Sequence, residues 1–155
     1  MLSIAHGTTG ALIATIIPNP LISTPLILAS HFLQDHIPHW DVGQGLTSKK
    51  KSKKAAFFQE LLFDLPASIL LVYLWFPPTP SLQGLTLQVN YLAFYGWFIA
   101  LLPDFIEFPY LFLNLRFPLL NKFAKLHTSI HKSTPNIFKG LWPQALTLLL
   151  VYLLK

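Results

Sequence analysis

The sequence predicts an all-α fold, a multi-pass transmembrane bundle of about five apolar helices. Of its 155 residues, 53% are hydrophobic and only 11% are charged, and the mean hydropathy is +0.52. A soluble domain carries about 25% charged residues, so these few charges would not cover a water-soluble surface. Long apolar segments also recur between clusters of Pro, Gly and Lys. The length fits a single integral membrane domain over residues 1–155.

Residues that end helices separate the apolar segments. Pro18-Asn19-Pro20 closes the first segment, Pro38 the second, Pro77-Pro78 the third and Pro103 the fourth. The predicted segments are residues 3–17, 21–37, 55–76, 89–102 and 137–154. The last three approach the roughly 20 residues that span a bilayer. The first two are shorter, so they either span a thinned bilayer or lie partly buried against the other helices. The stretch FPYLFLNLRFPLL is predicted to be an interfacial helix or a re-entrant segment.

Basic residues alternate between the connecting loops and so predict the topology. The loop after the second segment contains KKKSKK, and the region 105–136 carries Arg116 and several lysines, whereas the loop 77–88 has no charge. Positive loops stay in the cytoplasm, which places the N-terminus there too. We interpret the opening MLSIAHGTTGALIATII as a retained first helix, because no basic residues precede its apolar run. We then attribute the net charge of +5 to the topology signal and to contact with membrane lipids. We expect no nucleic acid as a partner.

The ionisable residues converge on one face of this predicted bundle. In the topology above, each lies at or near the cytoplasmic end of its segment. Three pairs have the i,i+4 spacing that places both side chains on one helix face. The pairs are His31 with Asp35, Glu60 with Asp64, and His127 with His131; the remaining acids and histidines are His6, His36, His39, Asp41, Asp104 and Glu107.

These side chains predict a divalent metal site. Ionisable groups in a membrane helix turn inward and find partners, and facing helices that present His and carboxylate pairs form metal sites. Imidazole and carboxylate donors suit Zn²⁺, Mn²⁺ or Fe²⁺, and the chain has no Cys. We predict Glu60 or Asp64 as the catalytic base. The predicted ligands are His6, His31, Asp35, Asp64 and Asp104, with His39, Asp41, His127 and His131 beside them or facing a substrate.

Two other functions fit the same residues. In a non-enzymatic membrane protein, the polar cluster would be a structural hydrogen-bond network between helices. His6 would then be an interhelical hydrogen bonder, Asp104 a helix cap, and His36 and His39 interfacial residues. A small ion carrier would use the buried acids as a relay, but it would need polar groups through the whole membrane depth.

Three stretches resemble a known family. AHGTTGALI, SHFLQDHIPHWD and ALLPDFIEFP are similar to bacterial membrane-bound metal-dependent hydrolases of the YdjM-like group. The matching positions are His6, Pro103-Asp104, and the pair His127 and His131. The segment with His31, Asp35 and His39 also resembles the motif of zinc-dependent phospholipases C. These resemblances imply a hydrolase in the bacterial cytoplasmic (inner) membrane that acts on a phosphoester or lipid-like substrate.

Overall fold

The computed structural model describes residues 1–43, 52–80 and 87–155, which form six helices. The backbone of Thr79–Pro80 also pairs antiparallel with that of Leu87–Gln88. The all-α prediction is confirmed. The helices are α1 (Ser3–Ile16), α2 (Pro20–His36), α3 (Lys53–Trp75), α4 (Tyr91–Leu111), α5 (Pro118–Ile130) and α6 (Ile137–Leu154).

Three of these helices, α3, α4 and α6, are long and apolar enough to cross a membrane. Helices α1 and α2 have only 14 and 17 residues, so the predicted count of five spans and the predicted orientation stay predictions. Many large apolar side chains on the outside of the bundle are exposed, among them Phe63, Phe138 and Trp142. Such a surface suits contact with lipid. The lysines at positions 49–51 lie outside the described residues.

The helices α1, α2, α3, α4 and α6 begin within two residues of the predicted segments, whereas α5 was not among those segments; for three helices the reason is local. The side chains of Asn19, Asn90 and Asn136 each accept a hydrogen bond from a backbone N–H in the first turn of the helix that follows. These bonds satisfy N–H groups that have no partner within the helix. Proline occupies the first position of α2 and α5, where its missing N–H costs nothing.

Helix α4 does not end at Pro103 as predicted but continues through it to Leu111. A proline inside a helix removes one backbone hydrogen bond, which packing on both sides can offset. Pro103 is buried, as are Leu101 before it and Glu107 after it. The FPYLFLNLRFPLL stretch therefore divides between the end of α4, a turn with left-handed Asn114 (φ 55°) and the start of α5.

Helix α3 contains a π-helical turn over Glu60–Asp64. Pro66 lies just beyond it and lacks the N–H that would bond to the carbonyl of Leu62. The Leu65 N–H instead reaches the carbonyl of Glu60. Such π-turns re-aim side chains and are frequent near functional sites.

Helix α1 lies at the centre of the bundle and packs against α2, α3, α4 and α6. Its buried face consists mainly of small residues. Gly10 and Gly96 lie where α1 crosses α4, and a Cβ atom on either glycine would overlap the backbone of the other. This close crossing brings the start of α1, with His6, toward the buried ends of α2 and α4.

Candidate metal centre

Helix α2 and the segment after it carry three ligand-type side chains on one side: His31, Asp35 and His39. The backbone of this segment pairs with the segment that follows α5. The His39 N–H donates to the Lys132 carbonyl at 3.0 Å, and the Lys132 N–H donates to the Asp35 carbonyl at 2.8 Å. These bonds place His39 beside His131, with their Nε2 atoms 3.1 Å apart.

A first group of potential ligands consists of His31, Asp35, Asp104 and His127, whose ligand atoms all lie within 4.8 Å of one another. The two histidine Nε2 atoms are 3.2 Å apart, and each is 3.1 Å from Asp35 Oδ2. Asp104 Oδ1 is 3.8 Å from both Nε2 atoms. His31 and Asp35 are fully buried, whereas the Asp104 side chain is 38% exposed. The group is therefore closed on one side and open at Asp104.

The opposite ring nitrogens of these histidines are held by acceptors. His31 Nδ1 lies 2.7 Å from the Ala100 carbonyl, and His127 Nδ1 lies 2.7 Å from Glu107 Oε2. An acceptor at Nδ1 keeps a proton there, so that Nε2 is the nitrogen that a metal cation would bind. Metal-binding histidines almost always have such a partner. The orientation of both rings therefore fits metal ligation.

A second group lies on the other side of Asp35 and consists of Asp35, His39 and His131. Asp35 Oδ1 is 3.8 Å from the Nε2 atoms of both histidines. His39 Nδ1 lies 2.7 Å from the Ile37 carbonyl, so this ring is oriented as in the first group. Asp41 Oδ2 is 3.5 Å from His39 Nε2 and 3.7 Å from His131 Nε2.

Protonation differs between His39 of the second group and His127 of the first. Burial lowers the pKa of His39 to about 4, so that its ring is neutral, and burial raises the pKa of Asp41. At His127, burial acts in the same lowering direction, but hydrogen bonds to the carboxylates of Asp35 and Glu107 overcome it and raise the pKa to about 10. Without a metal, a protonated His127 therefore contributes one positive charge beside these two acids.

His6 was predicted as a ligand and lies at the edge of the first group. Its Nε2 atom is 3.0 Å from Asp35 Oδ1, and its ring stacks on His31 with centroids 4.1 Å apart. The Met1 ammonium contacts both Asp35 Oδ1 and His6 Nε2. His6 belongs to neither group of potential ligands. Its predicted metal role stays a prediction, while its contacts here are with Asp35 and Met1.

Asp64 and Glu60 were predicted as a ligand and as candidate bases, and the structure places both at the start of α1. Asp64 accepts hydrogen bonds from the Ser3 N–H at 2.7 Å and the Ile4 N–H at 3.2 Å, and Glu60 accepts one from Ser3 Oγ at 2.5 Å. Carboxylates at a helix N-terminus satisfy free N–H groups and favour its dipole. Asp64 is thus an anchor for α1 and lies outside both ligand groups.

Sequence reasoning placed His127 beside the ligands, whereas the structure places it within the first group. It also missed the contact of Glu107 with His127. The available signal was a buried acid in an apolar helix, one turn after Asp104. His36 is exposed and contacts Lys132 Nζ at 3.0 Å, away from both groups.

A cavity of about 560 Å³ adjoins the first group. Asp104, His127 and His131 line it, together with Asp41, Glu60 and Glu107. The lining also includes an aromatic wall, in which Phe57 of α3 lies next to Phe108 of α4 and to Phe112, the residue that follows α4. Ionisable and aromatic side chains that line one cavity suit an amphiphilic ligand.

No family model, curated protein or solved structure matches this chain.

Proposed function

We propose that this chain is a membrane-embedded, metal-dependent hydrolase that acts on a phosphoester or lipid-like substrate. The observation that carries the proposal is the first group. In it, two imidazole nitrogens and two carboxylate oxygens lie within 4.8 Å of one another; they belong to His31, His127, Asp35 and Asp104. Two neighbouring Nε2 atoms, each with its Nδ1 held by an acceptor, are hard to satisfy without a cation or a shared proton.

The donor set indicates which cations fit. Two imidazoles with carboxylate oxygens suit Zn²⁺, Mn²⁺ or Fe²⁺. A bound divalent cation would supply Lewis-acid polarisation of the scissile phosphoryl or carbonyl group. Asp104 is the ligand residue with a partly exposed side chain in the first group, so it marks the side from which substrate enters.

The chain's own residues supply the remaining chemistry. Glu60 lines the cavity with Asp104 and is the proposed general base that takes a proton from the attacking water. Its hydrogen bond to Ser3 Oγ fixes the carboxylate. The aromatic wall at Phe57, Phe108 and Phe112 would hold the apolar part of the substrate and exclude bulk water.

The membrane setting supports a lipid-like substrate. Phe57 belongs to α3, and Phe108 to α4, two of the three helices able to cross a membrane. The resemblance to the YdjM-like group adds to this proposal, and with it a location in the bacterial inner membrane with the site near the cytoplasmic leaflet. Positively charged loops on that side support the same orientation.

Purified protein in detergent tests the proposal. We expect metal-loaded protein to hydrolyse an aryl phosphodiester or a diacyl phospholipid in mixed micelles, and Asp35→Asn and Asp104→Asn to reduce the rate to background. His36→Ala, which changes an exposed residue outside the site, is the matched control. Equal rates for wild type and Asp35→Asn would refute the proposal.

A structural network is the second candidate function, and specific contacts favour it. The Met1 ammonium and His6 both contact Asp35, and Asp64 holds the start of α1. In this case a buried cation already balances Asp35, and the cluster stabilises the bundle. Asp35→Asn would then lower stability, metal would not bind stoichiometrically, and no hydrolysis would be found.

A further inference from the structure

We infer that the site binds two divalent cations bridged by the carboxylate of Asp35, the second being held by His39, His131 and Asp41. This inference rests on the proposal that the first group, His31, Asp35, Asp104 and His127, is a metal centre. It assigns a binding role to the second group and to Asp41.

The position of Asp35 is the first argument. Its Oδ2 atom faces the first pair of histidines at 3.1 Å, while its Oδ1 atom, which the Met1 ammonium and His6 also contact, faces His39 and His131 at 3.8 Å. The residue is fully buried between the two pairs. A carboxylate with one oxygen toward each of two imidazole pairs has the arrangement of a bridging ligand.

Asp41 provides the second and independent argument. Its side chain is nine-tenths buried, and its Oδ2 atom has no hydrogen-bond partner among the residues that the structure describes. That atom lies 3.5 Å from His39 Nε2 and 3.7 Å from His131 Nε2. A buried carboxylate oxygen without a hydrogen-bond partner costs free energy. Because this oxygen lies next to two imidazoles, a cation bound between the three groups would remove that cost.

The third argument is the preorganisation of the histidines. The Ile37 carbonyl accepts from His39 Nδ1, which leaves His39 Nε2 free to face His131 Nε2 at 3.1 Å. Backbone pairing of His39 with Ser133 fixes this approach. The second group would then offer two imidazoles and two carboxylates, which is the same donor set as the first.

Two bridged cations fit phosphoester chemistry in particular. Such a pair can stabilise both the attacking and the leaving oxygen of an in-line displacement. The expected substrate is therefore a phosphoester, held with its phosphate toward Asp104 and His131 and its apolar part along the aromatic wall of the cavity.

Metal stoichiometry tests the inference without any activity assay. Full-length protein in detergent is loaded with Zn²⁺, freed of excess by gel filtration and analysed by mass spectrometry of the metal. We expect about two ions per wild-type chain, about one after Asp41→Asn or His131→Ala, and about two in the His36→Ala control. Asp41→Asn keeps the shape of the side chain, and His131 is partly exposed, which favours folding of both variants.

Electron paramagnetic resonance of Mn²⁺-loaded wild type adds a measurement that needs no variant. A spectrum with exchange coupling between two Mn²⁺ ions would support the bridge. The inference would be overturned by one ion per wild-type chain. It would also be overturned by two ions that show no exchange coupling, if Asp41→Asn binds as many ions as the wild type. One ion together with hydrolysis would overturn only the second site, whereas no bound metal would overturn both proposals.

Discussion

The contact between Glu107 and His127 allows the sharpest quantitative prediction. Glu107 is buried in α4, and its Oε2 atom lies 2.7 Å from His127 Nδ1. In Glu107→Gln the side chain keeps its size but loses its charge. The ring of His127 then no longer has a carboxylate to fix its tautomer and to make its Nε2 lone pair more basic.

The expected effect is a loss of metal affinity. Removing a partner of this kind weakens metal binding about 10- to 100-fold, which corresponds to roughly 1.4–2.7 kcal/mol. The structure favours the upper part of this range, since the hydrogen bond is short and buried. The only other described side chain bonded to Glu107 is Thr128, whose Oγ1 is 3.3 Å from Oε1.

The assay is a competition titration of Zn²⁺ between the purified protein and a chromophoric chelator. Thr128→Val is the matched control, because it removes only the long contact to Glu107 and should change affinity by less than threefold. Circular dichroism checks that both variants are folded. Wild-type affinity in Glu107→Gln would refute the role of Glu107 and weaken the case for His127 as a ligand.

Three further predictions address other parts of the account. Asp64→Ala should lower the free energy of unfolding by about 1–2 kcal/mol, because it removes hydrogen bonds to the start of α1. It should leave the metal content unchanged, and a loss of metal would show that Asp64 is a ligand. Gly96→Ala should lower the melting temperature clearly, because its Cβ would overlap the Gly10 backbone, whereas Leu153→Ala on the exposed end of α6 should not. Metal binding at pH 8 should release about one proton, because the pKa of His127 is raised to about 10 and the ring must lose its proton to bind. This release should fade above pH 10 and is measured by calorimetry in buffers of different ionisation enthalpy; no release at pH 8 would contradict the ligand role of His127.

Much of the fold could be predicted because its signals are local. The starts of α2 and α6 follow from Asn19-Pro20 and Asn136, and the prolines at 77–78 follow the end of α3. The passage of α4 through Pro103 could not be predicted. Its packing against α1 and α2 outweighs the lost hydrogen bond, and packing is a property of the assembled bundle.

The site was predictable as a cluster but not in its detail. Ionisable residues in apolar helices must find partners, so the convergence of His31, Asp35 and Asp104 followed from their positions. The direction of the Asp64 side chain depends on the π-turn of α3 before Pro66. This turn directs the carboxylate toward the start of α1. Likewise, His127 enters the first group because α4 continues far enough to bring Glu107 beside it.

X-ray absorption spectroscopy at the zinc edge tests the central claim most directly. Zn²⁺-loaded protein, in wild type and His127→Ala, would be compared after removal of excess metal. We expect nitrogen and oxygen ligands with the multiple-scattering pattern of imidazole, and a weaker imidazole signal in the variant. Zinc that does not stay bound, or an imidazole signal that is identical in the variant, would contradict a metal centre at His31, Asp35, Asp104 and His127.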